Sequence, residues 1–239
     1  MPIIKVIDVT YKYVTKDYEV LALDKISSIF YPGMNNVIVG SSGCGKTTLL
    51  KAILGTIDYE GDIFFDKDNV NSKSAKERKC SYVNQDIALY PHLTIFNNIA
   101  FPLRLLHKKD EEIRKIVYSM AKEFGIYSCL TRLPYEISIG QAQRASICKA
   151  LIKRSDVYIF DEAFSNLDKP NTSLIMDKIR EAIIGSNASK IFVTHDIELA
   201  NEYADRIFVM KEGKIVARGS KEEIKESSDP YVMGLFKSK

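Results

Sequence analysis

Residues Gly40-Ser41-Ser42-Gly43-Cys44-Gly45-Lys46-Thr47-Thr48 match the spacing G-x-x-x-x-G-K-[ST] at every fixed position. The apolar, β-branched run Val37, Ile38, Val39 precedes them, and Leu49, Leu50, Ile53 and Leu54 recur behind them at helical spacing up to Gly55. Strand, glycine-rich loop and helix in that order leave few folds open, because such a loop belongs at the end of a buried parallel strand. The loop, Gly40 to Thr48, turns its backbone N–H groups inward around phosphates, and the helix behind it sets its positive dipole end under the same charge. Lys46 is then expected to reach the β and γ phosphates of a nucleoside triphosphate. The Thr47 hydroxyl is expected to ligate the Mg²⁺ that accompanies it.

The chain of 239 residues has room for one α/β domain with an insert. Hydrophobic residues at 46% and charged residues at 27% fit a globular protein, and no apolar run approaches the length of a membrane span. Met1-Pro2-Ile3-Ile4-Lys5 lacks the charged and apolar pattern of a signal segment, so a cytoplasmic chain is expected. A net charge of +3 is too small and dispersed to argue for a nucleic-acid surface. Cys44, Cys80, Cys129 and Cys148 show no zinc-type spacing and read as free thiols in a reducing compartment. Cys44 lies inside the phosphate loop, which raises sensitivity to thiol reagents as an expectation.

Along the chain, Ile3 to Val9 alternates as a half-buried strand does. Leu23, Ile26, Ile29 and Phe30 continue strand-like sequence to a Pro32-Gly33 turn, and residues 61–65 form another strand. From Ile87 to about Lys153 the texture is helical, with Ile113, Ile116, Val117, Met120 and Phe124 on one face and a second helix beginning near Gln141. Val157-Tyr158-Ile159-Phe160 and Ile191-Phe192-Val193 are continuous apolar runs, as in strands buried on both faces. Between them a helix from Pro170 to Ile184 is expected to bury Leu174, Ile175, Ile179 and Ile183. Ile207 to Met210 and Lys214 to Ala217 flank Glu212-Gly213, a hairpin turn. The apolar residues of the tail, among them Tyr231 and Val232, are expected to dock on the core.

Parallel strands alternating with helices bring their carboxyl ends to one sheet edge, where the loop, Asp161-Glu162 and His195 can converge. Asp161 there supplies an oxygen ligand for Mg²⁺ opposite Thr47, Glu162 polarises a water against the γ phosphate, and His195 contacts that phosphate. Taken with these, the chain resembles an ATP-binding cassette (ABC) transporter ATP-binding subunit over essentially its whole length. Gln85 in Tyr82-Val83-Asn84-Gln85 resembles the glutamine-loop residue that touches Mg²⁺ and the attacking water. Ile137-Ser138-Ile139-Gly140-Gln141 resembles the signature motif L-S-G-G-Q and is followed by Arg144. Ser165-Asn166-Leu167-Asp168 resembles the S-A-L-D loop that crosses the dimer interface. Tyr13 falls where the family stacks an aromatic ring on adenine, with Tyr11 as its rival.

The resemblance implies an α/β fold: a phosphate-loop NTPase core with a mostly parallel sheet, an N-terminal antiparallel β section and a helical insert carrying the signature. In this reading residues 1–239 form a single domain, with core 1–86 and 154–239 and insert 87–153. It implies Gln85, Glu162 and His195 as catalytic residues and Thr47, Gln85 and Asp161 at the metal. Nucleotide contacts come from Tyr13, from the loop, and from Ser138, Gly140, Gln141 and Asp168 across a dimer in which ATP lies between one phosphate loop and the other signature. The implied partners are separate transmembrane permease subunits, a second ATPase subunit, identical or not, and, for an importer, a solute-binding protein. The implied location is the cytoplasmic face of the membrane. Leu89 to Thr94 and Asn98-Ile99-Ala100 resemble sugar-type importers, whereas Val14 to Ala22 resembles lipoprotein-release, antibiotic-export and cell-division members; the balance leans to import. A cassette remodelling nucleic acid or ribosomes would carry two cassettes or a long coiled coil, and a small phosphate-loop kinase would not need the Gln85, signature and His195 set. Two positions depart from the family: Ala163 stands where proline is usual, and Ile139 where glycine is. Isoleucine is expected to stiffen and crowd that turn.

Overall fold

Val37, Ile38 and Val39 are fully buried, and at about 1.5–3 kcal/mol for each fully buried side chain of this kind such a run is stable only as an inner strand. It forms β3 (Asn35–Val39) in the computed structural model of the protein, which describes residues 2–183 and 188–236. The remaining strands are β1 (Ile4–Val14), β2 (Glu19–Phe30), β4 (Glu60–Phe65), β5 (Asp68–Asn69), β6 (Cys80–Val83), β7 (Val157–Asp161), β8 (Ser189–Thr194), β9 (Arg206–Lys211) and β10 (Lys214–Gly219). The helices are α1 (Lys46–Leu54), α2 (Ile95–Leu105), α3 (Asp110–Glu123), α4 (Ile139–Leu151), α5 (Lys169–Ile183), α6 (Ile197–Tyr203), α7 (Lys221–Lys225) and α8 (Pro230–Phe236). Ile184, the expected end of α5, lies outside the described residues.

The chain divides into two compact units, one of residues 1–80, 156–161 and 187–239, the other of residues 81–155 and 162–186. In the first unit an antiparallel sheet runs β2-β1-β4-β5, and a second sheet contains β10-β9-β3-β8-β7 in that order. Strand β3 is parallel to both β8 and β9, and β7 is parallel to β8. All five residues of β7 are buried, which fits its unbroken apolar run. Asn36, buried at the start of β3, gives its amide protons to the carbonyls of Tyr31, Met34 and Lys190 and accepts from Tyr31 N, so its burial carries no unmet polar group. Those bonds also fix the turn at Pro32-Gly33. Alternation in β1 slips at Asp8, whose φ of 46° makes a bulge; Val6 and Val9 are thereby both buried. Ser27 Oγ holds the bulge, accepting from Asp8 N and donating to Asp8 Oδ1, each at 2.9 Å.

Helix α1 is anchored at the end away from the loop. Buried Arg78 donates to the carbonyls of Ala52 (2.7 Å) and Ile53 (2.9 Å), a cation on the negative end of the helix dipole. The β9–β10 hairpin turns as expected at Glu212-Gly213, both with positive φ.

In the second unit α3 buries Ile113, Val117 and Ala121, with Phe124 fully buried at its end. The expected face of α5 is corrected by one position: Leu174 is exposed and Met176 buried beside Ile175, Ile179 and Ile183. Met176 stands three and seven residues before Ile179 and Ile183 and so shares their face, whereas Leu174, five and nine residues before them, points to the opposite side of the helix. Fully buried Asn98 binds the backbone of Tyr90, Leu93 and Thr94 and folds the turn that leads into α2.

Candidate nucleotide site

Strand register aligns the loop, Asp161 and His195. Val39, the last residue of β3, is paired with Thr194, the last of β8, and Asp161, the last of β7, with Val193. Gly40 and His195 therefore leave the sheet edge level with each other and Asp161 about two residues before them, in parallel strands about 4.8 Å apart. Asp161 is 2% exposed. His195 is exposed and sits in a short turn, between Thr194, whose Oγ1 accepts Asp196 N at 3.0 Å, and Asp196, whose carboxylate caps α6.

Two glycines of the loop are required by close backbone approach. A Cβ on Gly40 would lie 2.2 Å from the Met210 carbonyl oxygen, and one on Gly45, where φ is 106°, would lie 2.4 Å from that of Ala22. Gly45 caps α1, so the loop feeds directly into the helix. The Lys46 ammonium, only 7% exposed with its residue, donates to the carbonyls of Gly40 (2.8 Å) and Ser41 (3.0 Å). The ammonium carries a third N–H besides these two. Thr47 is exposed in the first turn of α1, and Thr48 is buried beneath it. Tyr13 Oη lies 3.3 Å from Thr48 Oγ1, and Tyr11 packs edge-on against the Tyr13 ring at 4.9 Å. The contact with the start of α1 thus belongs to Tyr13.

Cys44 corrects the expectation of thiol sensitivity. It is 5% exposed, its sulfur packed so close to Gly40 that a Cβ there would lie 2.8 Å from it, and burial pushes its thiol up against a smaller opposing pull from Lys46. A shielded, protonated thiol is a slow nucleophile.

The second unit carries Gln85, Ser138, Gly140, Gln141, Glu162 and Asp168. Ser138 caps α4 reciprocally with Gln141: Ser138 Oγ accepts Gln141 N at 3.2 Å, and Gln141 Oε1 accepts Ser138 N at 3.0 Å. A Cβ on Gly140 would lie 3.6 Å from Leu167 Cδ2, so the start of α4 adjoins the loop ending in Asp168. Asp168 Oδ1 accepts from Asn171 N and Nδ2, fixing the beginning of α5. Ile139 is the first residue of α4, has no positive φ and is 63% exposed. The expected stiffening of a strained turn is therefore absent, because a helical first turn accepts a β-branched residue; only the projecting side chain remains to crowd a neighbour. Glu162 holds a φ of 50°, a costly conformation for a non-glycine residue, and its carbonyl is clamped by Ser165 N (3.3 Å) and Ser165 Oγ (2.9 Å). Gln85 is exposed. The segment following it is tied to α4 by Lys149, which donates to Ala88 O at 2.9 Å and lies 4.0 Å over the Tyr90 ring.

Long-range supports of the loop had no signal in the local sequence. Gly213 N donates to the Cys44 carbonyl at 3.0 Å, the Met210 carbonyl backs Gly40, and Tyr231 binds Ser41.

A phosphate loop opening a helix, with an acidic strand end and a histidine turn on the same sheet edge, defines a phosphate-loop nucleotide-binding protein. A family model described as ABC transporter matches residues 23–165, more than half of the chain, and the chain belongs to that family. It is 36% identical over 234 residues to the uncharacterized ABC transporter ATP-binding protein y4oS of Sinorhizobium fredii, covering 97% of this chain and 63% of that one. Identity is 37% to the oligosaccharides import ATP-binding protein MsmX of Bacillus subtilis (84% of this chain, 55% of that one). It is 36% to the molybdate/tungstate import ATP-binding protein WtpC of Pyrococcus abyssi (88% and 62%). The chain thus spans 55–63% of the length of these relatives. The dimeric structure of the bacterial ABC transporter cassette MJ0796 superposes with a TM-score of 0.84 at 27% identity, covering 91% of this chain and 98% of that one. Its post-hydrolysis state bound to ADP and Pi gives a TM-score of 0.84 at 26% identity. The fold class expected from sequence is therefore that of the ABC ATPase cassette.

Proposed function

We propose that this chain is the ATP-binding and ATP-hydrolysing subunit of an ABC membrane transporter, pairing with a second ATPase subunit around ATP to drive separate transmembrane permease subunits. The observation that carries this reading is the register that brings the phosphate loop, Asp161 and His195 to one sheet edge. The Lys46 ammonium and the backbone N–H groups at the start of α1 bind the β and γ phosphates, and Tyr13 takes the adenine. Glu162 orients a water and accepts its proton as the water oxygen bonds to the γ phosphorus and the bond to the β-phosphate oxygen breaks. His195 and Gln85 act at the γ phosphate and the water. The hydroxyl of Thr47, the carboxylate of Asp161 and the amide oxygen of Gln85 are hard oxygen donors of the kind Mg²⁺ takes, and that ion would supply charge neutralisation for the phosphates. Ser138, Gly140, Gln141 and Asp168 serve the nucleotide of the partner subunit, so ATP holds the pair closed and hydrolysis releases it.

Relatives named for import of oligosaccharides and of molybdate or tungstate support an importer, which adds a solute-binding protein to the partners. No helix among the described residues is long and apolar enough to cross a membrane; in the proposed reading the transmembrane path lies in the permease subunits, and this subunit works at the cytoplasmic membrane face. Purification from native membranes is expected to bring down a multi-span protein; a ribosomal or nucleic-acid complex instead would defeat the transport reading.

Because Ile139 is helical and unstrained, replacing it by glycine tests crowding alone. Ile139→Gly is expected to raise turnover of a homodimer by roughly two- to tenfold, less than the effect of gaining a transition-state hydrogen bond. Turnover measured with and without the native partner subunits checks this. An unchanged rate in both settings would make Ile139 an accommodated variant.

A further inference from the structure

The two edges of the Gly40–Ser41 peptide are held by different parts of the chain. Its carbonyl oxygen, on Gly40, accepts the Lys46 ammonium at 2.8 Å, and its N–H, on Ser41, donates to Tyr231 Oη at 2.9 Å. A peptide unit is planar, so a bond that fixes the N–H direction also fixes the carbonyl on the opposite side. We propose, on the reading of the loop as an ATP site, that Tyr231 is a positioning residue for Lys46, acting through this peptide.

The phenol is mounted firmly enough for that role. Asp229 Oδ1 accepts from Tyr231 N (2.8 Å) and Val232 N (3.1 Å) at the start of α8, and Val232 is fully buried. The Lys211 ammonium lies 5.2 Å from the centre of the Tyr231 ring. The hydroxyl has one proton, directed to Met210 O (3.3 Å) or Ser41 Oγ (3.2 Å), so its lone pairs are left to accept the Ser41 N–H. Met210 O is also the atom against which Gly40 is packed, so one carbonyl backs both the tyrosine and the loop. The Lys46 ammonium in turn takes its second carbonyl from Ser41. Removing the hydroxyl leaves the N–H of an exposed residue, which water can bond, so the fold is not at stake; what is lost is the fixed direction of the peptide.

The experiment compares the wild type with Tyr231→Phe and with Val232→Ala, which loosens the same helix with the hydroxyl intact. The dissociation constant for ATP, the KM and kcat of hydrolysis and the melting temperature are measured for each. A net hydrogen bond of this kind corresponds to roughly a three- to tenfold change in binding. Tyr231→Phe is expected to raise the ATP dissociation constant and KM by that factor, with kcat within about twofold and little change in melting temperature. Val232→Ala is expected to lower the melting temperature with a smaller change in affinity. Affinity within twofold of wild type in Tyr231→Phe, or affinity losses in both variants that track their melting temperatures, would overturn the assignment. A wild type that binds no ATP would instead overturn the proposed function and take this inference with it.

Discussion

Lys46→Ala is expected to abolish ATP hydrolysis, with turnover lower by at least about a thousandfold, and to weaken nucleotide binding sharply. The ammonium bridges the carbonyls of Gly40 and Ser41, and in the proposed site its remaining N–H meets the phosphates, so its loss removes both a charge and the brace that shapes the loop. Charge-assisted hydrogen bonds are about twice as strong as neutral ones, and the γ phosphate gathers charge as the bond to the leaving ADP breaks. The fold should survive: the lost bonds are to two loop carbonyls that water can reach once the side chain is gone, and Leu49, Leu50 and Ile53 keep α1 seated in the core. Turnover and ATP binding measured beside the melting temperature separate the two effects. Near-normal turnover would remove the basis for the whole functional reading.

The parts of this architecture that were legible in the sequence are those set by local chemistry. The uninterrupted apolar runs of β3, β7 and β8 admit no solvent-facing side, and an inner parallel strand follows from that alone. Glu212-Gly213 supplies two positive φ values in succession, which a tight hairpin needs. The loop and its helix are legible because phosphate binding demands particular residues at fixed spacing. What was not legible depends on partners far away in sequence. Nothing near Tyr231 indicates that its hydroxyl will meet Ser41, and Arg78 reads as an ordinary charged connector until it closes the far end of α1. The bulge at Asp8 could not be read from alternation, since both registers bury a valine. Ile139 was misread for another reason: motif comparison supplied a glycine and suggested a turn, whereas the Ser138 and Gln141 cap makes that position the first turn of a helix, where isoleucine carries no backbone strain.

Glu162→Gln is expected to keep ATP binding while lowering hydrolysis by about a hundred- to ten-thousandfold, the range of a lost general base. The substitution is nearly isosteric. Its backbone demand, a φ of 50°, falls equally on glutamine, and the two bonds from Ser165 go to the Glu162 carbonyl, which the change leaves in place. The proton acceptor goes and the site's shape stays. If ATP closes two subunits and hydrolysis opens them, the variant should accumulate ATP-dependent dimers on sizing, with monomers in ADP. Nucleotide recovered from the sized species distinguishes the ways this can fail. Monomers still holding unhydrolysed ATP would mean that Glu162 is the base but that this chain closes on a different partner. Monomers or dimers that turn ATP over at the normal rate would mean that the base lies elsewhere, and the strained backbone at Glu162 would then need another explanation.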